Sequence, residues 1–241
     1  MLEAAGWGLL ASSSLLLGAV LGARASLPPR AVGLILAFGA GTLISAIAFE
    51  LTEEAFALGG ADVVAVGLGA GALAFYLGNR AIEQRGMRRR GRMMVNSGVA
   101  EEGGRALLLG AALDGIPESA VIGTTLLTGS GVGVPVLVAV FLSNLPEAIG
   151  AEAGATRRPL GRVLAPWVAV VVACTVSSAL GFGLLDGASG DVIGLLQAFA
   201  AGGVLMLLVD EMIPTALKEG GNEAGLLATL GFAGAYLLST L

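Results

Sequence analysis

Histidine is absent from this chain of 241 residues, and cysteine occurs once, as Cys174. Without histidine the chain has neither an imidazole metal ligand nor the side chain that ordinarily titrates near neutral pH. A single cysteine excludes an intrachain disulfide and a cysteine metal cluster. Any metal site in this chain must therefore be built mainly from oxygen donors.

Charged and aromatic residues are also scarce, at 13% and 5% of the chain. Soluble domains carry about 25% charged residues, and so few charges do not cover the surface of a water-soluble globule. The mean hydropathy of +0.88 excludes a disordered chain. The 13 basic residues and the net charge of −5 leave no basic face for nucleic acid. The 39 glycines instead favour close helix packing within lipid.

Eight segments are long and apolar enough to cross a bilayer, which takes about 20 residues of helix. They are 4–25, 32–55, 60–79, 105–128, 131–153, 163–185, 191–216 and 223–241. The sequence therefore predicts an all-α polytopic membrane protein, with one transmembrane domain over residues 1–241. The long connection, residues 80–104, is rich in arginine and is expected to be a flexible cytoplasmic loop. The first segment lacks a basic start and a convincing cleavage site, which favours a membrane span over a removable signal.

The basic residues predict the orientation of these spans, because all of them fall in connections on one side. They are Arg24, Arg30, the arginines of 80–105, Arg157, Arg158, Arg162 and Lys218. The opposite connections carry only acids, which are Glu3, Glu53, Glu54, Asp62, Asp186 and Asp191. Cytoplasmic loops of membrane proteins carry an excess of lysine and arginine. We therefore expect a multi-pass protein of the cytoplasmic membrane with both termini outside the cytoplasm.

An internal repeat relates residues 37–60 to residues 198–221 at an offset of 161. The first segment reads AFGAGTLISAIAFELTEEAFALGG and the second AFAAGGVLMLLVDEMIPTALKEGG. The alignment pairs Glu50 with Glu211 inside apolar segments. These segments are spans 2 and 7, which run in opposite directions because an odd number of crossings separates them. The pattern predicts an inverted repeat of spans 1–3 and 6–8 around spans 4 and 5, an architecture that recurs in secondary transporters.

Two polar motifs interrupt spans 4 and 5 near the middle of the bilayer: DGIPES (114–119) and SNLPEA (143–148). An ionised carboxylate at that depth costs at least about 2.5–3.5 kcal/mol. Such a group must be protonated or be neutralised by a bound cation. Pro117 and Pro146 also free backbone carbonyls that can face a site. The expected ligands of a hard or borderline divalent cation are Asp114, Glu118, Ser143, Asn144 and Glu147.

Further acids lie toward the ends of the spans. Asp210 and Glu211 are in the inner third of span 7, and Glu50 is toward the outer end of span 2. We expect these three residues along the transport pathway. Glu152 lies close enough to the cytoplasm to be solvated, and Cys174 in span 6 is expected to pack between helices.

Together with VDEMIP (209–214) in span 7, the two motifs resemble those of the ZIP (Zrt/Irt-like) metal-ion transporter family, in particular its prokaryotic GufA-like branch. Members of that family typically carry histidine where this chain has Asp114 and Ser143, and their motif glutamates match Glu118 and Glu147. The resemblance implies eight spans in a 3+2+3 arrangement, with zinc, iron or manganese as the substrate. A ligand of the two-metal members is missing at Gly115, which points to a single or weakened metal position.

The replacement of histidine affects the expected metal preference. Imidazole nitrogen favours zinc and its neighbours, whereas carboxylate oxygens suit manganese, magnesium and calcium. The resemblance therefore implies zinc, iron or manganese, while the ligands favour manganese or a broad range of divalent cations.

We expect a membrane transporter, not an enzyme, that moves divalent metal cations into the cytoplasm between spans 4 and 5. Its expected partners are the lipid bilayer and the metal ion, and a homodimer is compatible with the sequence. Three alternatives stay open: a cation/proton or cation/sodium exchanger, a non-transporting ZIP-like protein, and an intramembrane aspartyl protease using Asp114 and Asp210. Exchangers usually have ten or more spans, and the Gly-x-Gly-Asp and Tyr-Asp motifs of the protease are absent.

Overall fold

The computed structural model describes residues 1–25, 27–90, 111–112, 115–128, 132, 134–152 and 159–239, and these residues form helices and short connections without any β-strand. The α-helices are α1 (Leu2–Arg24), α2 (Pro29–Ala46), α3 (Glu53–Arg90), α4 (115–125), α5 (Val134–Glu152), α6 (Leu160–Leu185), α7 (Gly190–Leu207), α8 (Ile213–Gly220) and α9 (Ala224–Ser239). Single π-helical segments join α2 to α3 (Ile47–Thr52) and α7 to α8 (Leu208–Met212). The predicted all-helical class is confirmed.

Prolines mark where two of the helices begin. Pro28 and Pro159 precede α2 and α6, and their carbonyls accept hydrogen bonds of 2.9 Å from the amides of Ala31 and Arg162. Proline suits a helix start because its φ is already helical and its missing amide hydrogen would have no partner there.

Four helical stretches in the described residues are long and apolar enough to cross a membrane: Leu2–Arg24, Pro29–Arg80, Leu160–Leu185 and Gly190–Leu238. The second and fourth have 52 and 49 residues. A straight helix of about 50 residues would measure roughly 75 Å, which is more than twice the hydrocarbon core of about 30 Å. Both stretches are interrupted by a glycine in non-helical geometry, Gly60 (φ 74°, ψ −174°) and Gly221 (φ 69°, ψ −153°).

These interruptions are 161 residues apart, which is the offset of the repeat in the sequence. The same offset relates the first residues of α2 and α7, Pro29 and Gly190, and the first residues of the two π-helical segments, Ile47 and Leu208. Two close helix contacts also correspond in the two halves, with the contacted carbonyls 161 residues apart and the glycines 160 residues apart. A Cβ added at Gly71 would collide with the Phe199 carbonyl, and one added at Gly231 would collide with the Phe38 carbonyl. The two halves of the chain thus share local geometry as well as sequence.

The helices pack in two groups. Helix α1 contacts α5 and α6, and α4 contacts α6 at Gly123 and Gly181. Helix α3 contacts α7, and α2 contacts α8 and α9. The two groups meet where α5 contacts α2 and α9, and at the contact with α2 Gly39 lies against Pro146. One buried apolar cluster lies mainly among α2, α5 and α7, and a second lies among α1, α5 and α6 around Leu15 and Trp167.

The predicted spans agree with the long helices over most of their length. Helix α3, however, extends to Arg90, so the first part of the expected loop 80–104 is helical, and its remainder, 91–104, lies outside the described residues. Several long apolar helices are compatible with a membrane protein. The eight-span count and its 3+2+3 arrangement stay predictions.

Candidate metal site between helices α4 and α5

Two glutamates from different helices come together where the sequence predicts the metal site. Glu118 on α4 is only 4% exposed, and its carboxyl interacts electrostatically with that of Glu147 on α5. Like charges placed close together in an apolar interior repel, so both carboxylates cannot be ionised there without a counter-charge. The pair is therefore suited to a proton or a bound cation.

Two further predicted ligands are buried beside the pair on α5. Ser143 is 3% exposed, and its hydroxyl donates a 3.0 Å hydrogen bond to the Val140 carbonyl within the same helix. Asn144 is 2% exposed, and its side-chain Nδ2 has no hydrogen-bond partner within the described residues. A buried amide nitrogen without a partner costs about 1–3 kcal/mol, so Asn144 favours the presence of another polar group at this point.

The fifth predicted ligand, Asp114, lies outside the described residues. Within the described residues, no three histidine, cysteine, aspartate or glutamate side chains are arranged to hold a metal ion. The structure thus brings Glu118 of α4 close to Glu147 of α5.

Prolines shape both helices at this level. Pro146 lies inside α5, where it removes one backbone hydrogen bond, and Pro117 lies in the first turn of the described part of α4. A cavity of about 150 Å³ lies beside Pro117 and is bounded by α3 and α7. Its lining is almost wholly apolar, with Phe75, Phe199 and Val204 among the larger side chains.

Cys174 on α6 lies close to this site, whereas the sequence predicts only that it packs between helices. The thiol is fully buried, and it interacts electrostatically with Glu118 and Glu147 and through a hydrogen bond with Ser119. A Cβ at Gly115 would lie 3.0 Å from Cys174 Sγ. The absence of a side chain at Gly115 therefore lets α6 approach the polar motif of α4.

The predicted pathway acids occupy the two π-helical segments. Glu50 is half-buried in the segment Ile47–Thr52, and Glu211 is half-buried in the segment Leu208–Met212. Glu211 accepts a 3.2 Å hydrogen bond from Asn79 Nδ2 on α3, whereas its neighbour Asp210 is exposed. Isolated π-helical turns are frequent at functional sites because they redirect side chains within a helix. Glu50 lies between α2 and α3, Glu211 lies between α7 and α8, and Glu118 lies on α4, so the three acids belong to different helical segments.

The expectation that Glu152 is solvated is wrong. Glu152 is 5% exposed, and its Oε1 accepts a 3.0 Å hydrogen bond from Trp167 Nε1 on α6. Burial results from packing between α5, α1 and α6, since a Cβ at Gly22 on α1 would lie 3.1 Å from Glu152 Cβ.

The sequence interpretation missed three polar residues with buried or cross-helix roles. Asn79 and Trp167 hydrogen-bond to glutamates on other helices, and Gln197 on α7 is fully buried. The signal in each case is a single hydrogen-bonding side chain within an apolar run. Such a signal does not identify the partner, which comes from a distant part of the chain.

Comparison with protein-family models gives no match, and comparison with curated proteins gives no significant match either.

Proposed function

We propose that this chain is a multi-pass transporter that carries divalent metal cations across the cytoplasmic membrane and into the cytoplasm. The observation that carries this proposal is the burial of Glu118 beside Glu147 on two separate helices. Glu118 is buried and Glu147 is half-buried, and removing two neighbouring carboxyl groups from water is costly unless their charge is balanced. A cation that is bound and then released accounts for their presence.

The proposed binding site takes Asp114, Glu118 and Glu147 as carboxylate ligands, with Ser143 and Asn144 as neutral oxygen donors. Three carboxylates exceed the charge of one divalent cation, so a proton can balance the remainder. Such a ligand set favours manganese or a broad divalent range over strict zinc selectivity. The thiol of Cys174 beside the carboxyl pair adds a softer donor to the surroundings of the site.

The proposed membrane arrangement has eight spans, with Gly60 and Gly221 each turning the chain between two spans. The features that recur at an offset of 161 residues support two structurally equivalent halves. In the proposed orientation these halves are inverted, as in many secondary transporters. The similarity of DGIPES, SNLPEA and VDEMIP to ZIP motifs supports placing the chain in that family as a proposal.

The packing groups indicate where movement would open the site. Spans 4 and 5 are expected from the sequence to move against the repeat formed by spans 1–3 and 6–8. Contacts also join α4 to α6 and α5 to α1. We therefore place the moving boundary where α5 contacts α2 and α9, next to the motif that contains Glu147.

The test is uptake by the purified full chain in liposomes that contain a metal-sensitive dye. We expect uptake of Mn²⁺, with competition by Zn²⁺ and Fe²⁺ and weaker competition by Ca²⁺. A cation/proton or cation/sodium exchanger would instead require an opposing proton or sodium gradient for any flux. Peptide cleavage without cation flux would identify a protease, and the absence of flux for every divalent cation would contradict the proposal.

A further inference from the structure

Gln197 on α7 is the most unusual buried polar side chain outside the proposed metal site. It is 0% exposed, and neither its Nε2 nor its Oε1 has a hydrogen-bond partner within the described residues. Leaving a buried donor and a buried acceptor unsatisfied costs about 1–3 kcal/mol for each group. A protein under no functional constraint at this position would gain stability from an apolar residue.

The internal repeat shows that packing does not require an amide here. The position 161 residues earlier is Leu36 on α2, which is buried with 8% exposure in the apolar cluster of that helix. The helix geometry around the two positions is shared, because α2 and α7 begin and end in the same way at this offset. A leucine thus fits this position in one half, and the glutamine of the other half needs a separate reason.

The group that faces Gln197 is Glu54, near the start of α3. One turn earlier on α7, a Cβ at Gly194 would lie 2.9 Å from the Ala55 carbonyl, so the two helices touch closely at this level. Glu54 interacts with the Gln197 amide, although neither amide atom reaches full hydrogen-bond geometry. The buried amide is therefore aimed at a half-buried carboxylate.

A second carboxylate lies on the same side of the helix. Glu50 is four residues before Glu54 and interacts electrostatically with both Glu54 and Glu53. Glu50 and Glu54 are both half-buried, while Glu53 is exposed. Two half-buried acids that repel one another, with an unsatisfied amide between helices, form an arrangement that a cation would stabilise.

We propose that Glu54, Glu50 and Gln197 form a second divalent-cation site, on the outer side of the Glu118–Glu147 site. Placing it on the outer side rests on the function and orientation proposed above. The two carboxylates and the Gln197 Oε1 would bind the ion, and Nε2 would then donate to the free oxygen of Glu54. Cations such as Mn²⁺ and Mg²⁺ accept oxygen ligands and keep some of their waters. This site would capture a partly hydrated cation before it reaches the buried pair.

Cation counting on the purified full chain tests this site without relying on transport. Free Mn²⁺ is measured by its electron paramagnetic resonance signal during titration of the protein in nanodiscs. Wild type should bind two Mn²⁺ ions, and Glu54→Gln and Gln197→Leu should each weaken one of them by about 10- to 100-fold. Asp62→Asn removes an exposed acid from the same predicted side and should leave both ions bound. Unchanged binding by Glu54→Gln and Gln197→Leu would overturn the outer site.

A second substitution separates binding from packing. Gln197→Glu adds a carboxylate at the same position and should tighten the weaker Mn²⁺ site, whereas a purely structural amide predicts a less stable protein with unchanged binding. The latter result would overturn the outer site.

The proposal is also separable from the transport function. If Glu118→Gln loses one bound Mn²⁺ and Glu54→Gln loses none, the Glu118–Glu147 site is supported and the outer site is contradicted. If Glu54→Gln loses one bound Mn²⁺ and Glu118→Gln loses none, the outer site is supported and the Glu118–Glu147 site is contradicted. In uptake assays, Glu54→Gln should raise the KM for Mn²⁺ by about tenfold with little change in kcat, because capture precedes translocation.

Discussion

The indole Nε1 of Trp167 donates a hydrogen bond of 3.0 Å to Oε1 of Glu152, and both side chains are buried. The bond joins α5 to α6 at the end of α5 that follows SNLPEA (143–148). Hydrogen bonds to a charged or buried carboxyl are stronger than ordinary ones, and loss of the donor leaves the acceptor less well satisfied. The pair therefore helps to hold α5, which carries Glu147, against α6.

Replacing Trp167 by phenylalanine should destabilise the protein by about 1–3 kcal/mol, because a buried acceptor loses a donor while most of the apolar contact is kept. Far-UV circular dichroism during heating in detergent measures the effect without depending on tryptophan fluorescence. Trp7→Phe is the matched control, since Trp7 is only partly buried against the other cluster. Equal unfolding temperatures for Trp167→Phe and wild type would show that the hydrogen bond contributes nothing.

Alanine at Gly60 or at Gly221 should destabilise the protein by about 1–3 kcal/mol. Both glycines adopt a backbone conformation that is essentially restricted to glycine. Gly225→Ala, only four residues after Gly221, should have the opposite effect, because Gly225 is helical and a Cβ there meets no atom within 4 Å. The comparison uses the same thermal unfolding measurement. Stabilisation by alanine at Gly60 or Gly221 would contradict the described turns.

Gly71→Ala should destabilise the contact between α3 and α7 by about 1–3 kcal/mol through overpacking. The new Cβ would collide with the backbone carbonyl of Phe199, which cannot move away as a flexible side chain can. Gly69→Ala, two residues earlier, places its Cβ in open space and should be tolerated. If the two variants unfold at the same temperature, α3 and α7 do not approach one another at this glycine.

The helical fold and the internal repeat are largely predictable from this sequence because both depend on local signals. Long apolar runs locate the helices, and the paired glycines at 59–60 and 220–221 align the two halves. The left-handed geometry of Gly60 and the π-helical segments were not predicted. A Gly-Gly pair is compatible with several backbone conformations, and an acid inside an apolar run does not indicate how the helix widens around it.

The site was predictable only in part, for reasons of long-range packing. Glu118 and Glu147 stand out because a carboxyl group in an apolar span is costly wherever the helix lies. The burial of Glu152 depends on Trp167 and on the approach of α1, neither of which is near it in sequence. The role of Gln197 depends on Glu54, which the sequence pattern places in an exposed connection.

Restoring the missing histidine should change metal preference. Asp114→His introduces the imidazole that the resembled family carries on span 4, and nitrogen ligands favour zinc over manganese. We expect the ratio of Zn²⁺ to Mn²⁺ uptake to rise by about tenfold or more, since each 1.4 kcal/mol of differential binding is a factor of ten. Asp114→Asn serves as the control, because it removes the charge without adding nitrogen coordination. An unchanged ratio in Asp114→His would remove Asp114 from the ligand set.

The most direct measurement is the initial rate of Mn²⁺ uptake into liposomes that contain either wild-type protein or Glu118→Ala. Protein amount and unfolding temperature should be matched, with Glu223→Gln as a control that removes an acid paired with Arg30 at the surface. We predict that Glu118→Ala abolishes uptake while Glu223→Gln keeps it. Uptake by Glu118→Ala at the wild-type rate would contradict a transport site built on the carboxylates of α4 and α5.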